Sequence, residues 1–71
     1  MVGVNERYRV KPVFAVAKDG QGRPMVGTVI YIHPMGRYAV LEFEGAIGKA
    51  RESFYLDQLT DKNRILSKVG Y

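Results

Sequence analysis

Val26-Gly27-Thr28-Val29-Ile30-Tyr31-Ile32-His33-Pro34-Met35-Gly36-Arg37-Tyr38-Ala39-Val40-Leu41-Glu42-Phe43-Glu44 decides the fold. Residues 26–33 and 37–44 are both dominated by β-branched, aromatic and other apolar residues, and Pro34-Met35-Gly36 separates them. Such a pattern predicts a β-hairpin. Proline presets φ for the second position of a tight turn, and glycine takes the left-handed conformation that closes a three-residue loop. That geometry pairs His33 with Arg37, Tyr31 with Ala39 and Val29 with Leu41. Side chains alternate along a strand, so Val29, Tyr31, Ala39, Leu41 and Phe43 share one face. Ile30, Ile32, Tyr38, Val40, Glu42 and Glu44 share the other. The two glutamates need water, which makes the Leu41 and Phe43 side the better candidate for the core. Ile30 and Ile32 are too apolar to be simply exposed, so both faces are expected to be partly covered, as in a closed barrel.

Working outward, residues 8–17 read as an early strand broken or edged at Pro12, which has no N–H to give a ladder. Lys18-Asp19-Gly20-Gln21-Gly22-Arg23-Pro24 has the composition of a long loop. Downstream, Gly45-Ala46-Ile47-Gly48-Lys49 is a glycine-bounded turn, residues 50–55 alternate as a fourth strand, and residues 64–69 supply a short last strand. Between them, Leu56-Asp57-Gln58-Leu59 spaces two leucines three apart, which suits a single 3₁₀ turn. The expected architecture is all-β, a five-stranded small barrel with one 3₁₀ turn before the last strand, occupying residues 1–71 as one domain. A chain of 71 residues has one core to build.

Composition narrows the chemistry. An apolar fraction of 46% with 25% charged residues is that of a folding domain. With no cysteine, neither a disulfide nor a thiolate metal site can support the core, and a reducing, cytoplasmic compartment is expected. Residues 1–11 hold Glu6, Arg7, Arg9 and Lys11 and lack the apolar run of a signal peptide. Residues 24–35 fall short of the about 20 needed to cross a bilayer. Catalysis is not expected: His33 is the only histidine, and Ser53 and Ser67 have no base in a recognisable motif. Glu42 and Glu44 form a solvated strand face rather than an acid–base pair, and no cofactor or metal is implied.

The layout of short strands, a long first loop, a tight central hairpin and a helical turn resembles an SH3-like barrel. Residues 26–32 followed by Tyr38-Ala39-Val40-Leu41-Glu42 resemble the KOW-type pattern, in which a glycine opens a strand and a hydrophobic strand ending in glutamate answers it. Residues 54–59 are similar to the turn leading Tudor-like and KOW-like barrels into their last strand. The KOW resemblance implies contact with RNA, ribosomes or transcription proteins. Free-standing barrels of this size also resemble small proteins encoded by phages and mobile elements. A CAP-Gly comparison, suggested by Gly27-Thr28-Val29 and Gly48-Lys49, stops at Ala50-Arg51-Glu52, where those domains carry asparagine, aspartate and glycine.

A net charge of +4 favours polyanionic partners. Cations and aromatics interleave at Arg7, Tyr8, Arg9 and Lys11, at Tyr31, His33, Arg37 and Tyr38, and at Lys49 and Arg51. Of these, Arg7, Arg9, Lys11, Tyr31, His33, Arg37, Tyr38, Lys49 and Arg51 are singled out for contact. Cations neutralise phosphates and exposed tyrosines stack unpaired bases, so these nine residues are the candidate nucleic-acid-binding set. The alternative is a protein-interaction module or small inhibitor gripping a partner through an open strand edge or through Ile30, Ile32, Tyr38 and Val40. Either reading expects a monomer or weak homo-oligomer.

Overall fold

The computed structural model describes residues 2–15, 20–45 and 48–65. They form β1 (Arg7–Val10), β2 (Met25–Ile32), β3 (Tyr38–Gly45), β4 (Gly48–Tyr55), a 3₁₀ turn over Leu56–Gln58, and β5 (Arg64–Ile65). All pairings are antiparallel, and one sheet runs in the order β4-β3-β2-β1-β5. The all-β class, the strand number and the 3₁₀ turn are as expected. Closure is not made: among the described residues no ladder joins β4 to β5, so the sheet is open.

Alternation sends Tyr8 and Val10 of β1, Val29 of β2, Ala39, Leu41 and Phe43 of β3 and Phe54 of β4 to one face, where all are buried together with Leu59. Each large side chain withdrawn from water contributes roughly 1.5–3 kcal/mol, which makes this face the main source of stability. Residues 11–15 roof it. Pro12 is fully buried, the Val13 N–H donates to both Glu52 carboxylate oxygens at 3.0 and 2.9 Å, and the Phe14 ring meets Phe43 edge-on at 5.4 Å. The expected long first strand therefore ends at Val10. Beyond it the chain leaves the ladder and crosses the core, using the residue that cannot donate as packing. Residues 16–17, assigned to that strand from the sequence, lie outside the described residues, as do 46–47 of the expected turn and 66–69 of the expected last strand.

The hairpin register needs correction. His33 pairs with Tyr38 rather than Arg37, through a 2.9 Å bond from the His33 N–H to the Tyr38 carbonyl, so the loop is one residue longer than expected. Tyr31 accordingly sits opposite Val40 and Ile32 opposite Ala39. A bulge between Val29 and Tyr31 absorbs the extra residue and returns Val29 to Leu41, as expected. Its consequence is an exchange of faces at the hairpin tip: Ile32 packs against the core, while Tyr31 turns outward and is 45% exposed.

Gly36 has φ 69°, in the left-handed region the turn was expected to need, and its N–H closes onto the His33 carbonyl at 2.8 Å. A β-branched residue there costs on the order of 1–3 kcal/mol. Gly36→Val is expected to lower the melting temperature by at least about 4 °C, read by circular dichroism. An unchanged melt would contradict the turn geometry.

Glu6 ties the start of the chain to the last strand. Its carboxylate accepts from the Gly3 N–H at 2.8 Å, the Tyr8 hydroxyl at 3.0 Å and Arg64 Nη1 at 3.0 Å. The Gly3 N–H foremost, then the Tyr8 hydroxyl, hold this carboxyl below its ordinary range, whereas burial first and Glu6 second push the Tyr8 hydroxyl up. A depressed carboxylate contributes stability at neutral pH that disappears as pH falls through its folded value. The raised phenol gives stability that is lost as pH rises past its ordinary 10.0. Glu6→Gln is therefore expected to weaken urea resistance at neutral pH while flattening the loss between neutral pH and about pH 3. Parallel acid limbs for the two proteins would refute this role.

Candidate nucleic-acid interface

The ladders carry one set of side chains across four strands on the face opposite the core. Tyr38 stands beside Tyr55, Val40 between Tyr31 and Ser53, Glu42 between Thr28 and Arg51, and Glu44 beside Lys49. On β1, Arg7 lies beside Thr28 and Arg9 beside Val26. Neighbouring strands are about 4.8 Å apart, so this face is roughly 14 Å wide from β4 to β1. It is exposed or half-buried throughout, because the roof of residues 11–15 packs on the other side.

Of the nine candidate residues, Arg7, Arg9, Tyr31, Tyr38, Lys49 and Arg51 meet on this face, and the His33 ring joins them 4.9 Å from Tyr38. Arg37 is exposed in the hairpin loop, and Lys11 is exposed just past β1, its stem lying over Gly22. The face divides in two. At the hairpin end the Tyr31 and Tyr38 rings are tilted 44° with centroids 6.3 Å apart. The His33 Nδ1 accepts from the Met35 N–H at 3.0 Å, so this ring shapes the turn as well as extending the aromatic surface.

Toward the other end the face is charged. Arg51 Nε binds Glu42 at 3.1 Å, and Lys49 Nζ stands 3.8 Å from Glu42 and 4.0 Å from Glu44. Exposed pairs of this kind are worth about 0–1 kcal/mol, so phosphates can compete for Lys49 and Arg51. Arg7 and Arg9 have no ion pair among the described residues and are free to meet an anion. A cleft of about 330 Å³ lined by Arg7, Val26, Thr28, Glu42 and Glu44 runs between the two groups.

Three residues at the hairpin end of this face were not among the candidates for contact read from the sequence. Tyr55, Ser53 and Gln58 line a second cleft, of about 350 Å³, with Tyr38 and Phe54. The signal was present: pairing Gly45 with Gly48 across the glycine-bounded turn carries Tyr38 to Tyr55 by counting. Conversely, the apolar patch expected from Ile30, Ile32, Tyr38 and Val40 is broken up, because Ile32 packs against the core and Ile30 lies in the bulge. No group of three or more acidic or histidine side chains among the described residues is arranged to hold a metal ion. No helix among them is long and apolar enough to cross a membrane.

Fold and site together define an all-β sheet domain with one buried face and one open face that combines cations with aromatics. Comparison with family models, curated proteins and solved structures finds no match to this chain.

Proposed function

We propose that this protein is a non-catalytic cytoplasmic binding module of the SH3-like barrel type, with a KOW-like hairpin, whose open sheet face binds nucleic acid or nucleoprotein. One observation carries the reading: Arg7, Arg9, Lys49 and Arg51 share with Tyr31 and Tyr38 a single uncovered face, although they come from four separate strands. Four cations against Glu42 and Glu44 leave that face positive, and it offers rings beside the charge. Phosphate neutralisation gives affinity, and aromatic planes hold bases. The test is fluorescence anisotropy with labelled oligonucleotides at low salt. Binding supports the reading, and its absence rejects it.

A second reading, a module or phage-type inhibitor that grips a partner protein, is favoured by the edge of β4. This strand of eight residues pairs with β3 alone among the described residues and, apart from the Tyr55 N–H, which donates to Gln58, presents its outer edge to an added strand. Capture from lysate before and after nuclease treatment separates the two readings, since a protein partner survives the nuclease.

A further inference from the structure

We propose that the cleft between Tyr38 and Tyr55 is a slot for a single unpaired nucleobase, which makes the nucleic-acid partner single-stranded; this rests on the nucleic-acid reading above. Tyr38 and Tyr55 are direct cross-strand neighbours, a placement that ordinarily lets two rings touch. They do not touch here. Tyr38 leans toward β2, where it meets His33 at 4.9 Å and Tyr31 at 6.3 Å, and among the described residues no ring contacts Tyr55, which is 70% exposed. Both residues line the cleft of about 350 Å³, together with Ser53, Phe54 and Gln58.

Polar groups are already placed at its wall. The Tyr55 N–H donates to Gln58 Oε1 at 2.9 Å, which orients the carboxamide, its nitrogen having no acceptor among the described residues, and Ser53 lines the same cleft. Two aromatic walls with an amide and a hydroxyl suit a flat, polar-edged ring. The volume, at the lower end of the range of about 300–1,000 Å³ for ligand pockets, is ample for one nucleobase. Within a duplex both faces of every base are covered, so only an unpaired base can enter. The chain of such a strand continues over a face carrying Arg7, Arg9, Lys49 and Arg51, where its phosphates are neutralised.

Anisotropy titrations with oligothymidylate and oligouridylate, the matching duplexes, and an abasic backbone of equal length test the slot. Single strands are expected to bind most tightly, with the DNA and RNA arms showing which sugar is preferred. Tyr55→Ala is expected to weaken single-strand binding roughly 5- to 150-fold, the range for loss of one base–aromatic stack. Tyr55→Phe keeps the ring and is expected to keep the affinity. Since Tyr55 is exposed, thermal melts of both variants should match the parent. Equal binding of abasic and base-bearing strands, duplex binding as tight as single-strand binding, or an unaffected Tyr55→Ala overturns the slot while leaving the polyanion reading intact. Absence of all binding at low salt rejects that reading and the slot with it.

Discussion

Gly27→Val is expected to leave the domain largely unfolded at room temperature, and Gly27→Ala to melt well below the parent. A Cβ at position 27 would stand 2.5 Å from Phe43 Cε2 and 2.7 Å from Cζ, distances that real Cβ contacts do not show. The ring cannot retreat cheaply. Phe43 is 1% exposed and is held edge-on by Phe14 at 5.4 Å and by Phe54 at 6.1 Å. Overpacking of this kind costs about 1–3 kcal/mol and occasionally more, and valine adds two methyls to the clash. Small domains have on the order of 5 kcal/mol in total. Chemical denaturation of Gly27→Ala, Phe43→Leu and the double variant provides the check. A smaller ring-side group should relieve part of the alanine clash, so the two changes should couple rather than add. Additive effects, or a Gly27→Ala as stable as the parent, would mean that β2 does not lie against Phe43 as described.

Replacing Arg7 and Arg9 together by serine is expected to weaken oligonucleotide binding by at least about an order of magnitude at low salt. The double change should also reduce the slope of log affinity against log salt by about two, one for each phosphate contact removed. Both arginines are exposed strand residues without an ion pair among the described residues, so thermal stability should stay within about 0.5 kcal/mol of the parent. Arg51 behaves differently, because its removal also leaves Glu42 with Lys49, at 3.8 Å, as its remaining cation among the described residues and so makes that carboxylate less well neutralised beside a phosphate.

The central hairpin was legible because its signals agree: β-rich runs on both sides of Pro34 and Gly36, and a pattern on residues 39, 41 and 43 that only one face can bury. The turn failed by a single residue. Pro34-Met35-Gly36 is compatible with loops closed at Arg37 or at Tyr38, and the choice depends on backbone and side-chain bonds, notably His33 Nδ1 with the Met35 N–H, that composition does not encode. The bulge at Ile30 then hid the error farther along, since Val29 and Leu41 face each other either way. Tyr31 and Ile32 fall between turn and bulge, which is why these two residues exchange faces. Residues 12–14 misled for another reason: a buried proline and an aromatic roof look in sequence like strand residues, and only the tertiary contacts with Phe43 and Glu52 show their use. Of the interface, the cations were visible as charge, whereas Tyr55 needed the β3–β4 register.

The salt dependence of oligonucleotide binding tests most directly the proposal that the open face of the sheet neutralises phosphates. For the parent protein, log affinity is expected to fall linearly with log salt, with a slope reflecting several phosphate contacts, and Arg7→Ser/Arg9→Ser should show a shallower line. Binding that does not weaken with salt, or the same slope in the parent and the double variant, would contradict the assignment of this face to nucleic acid.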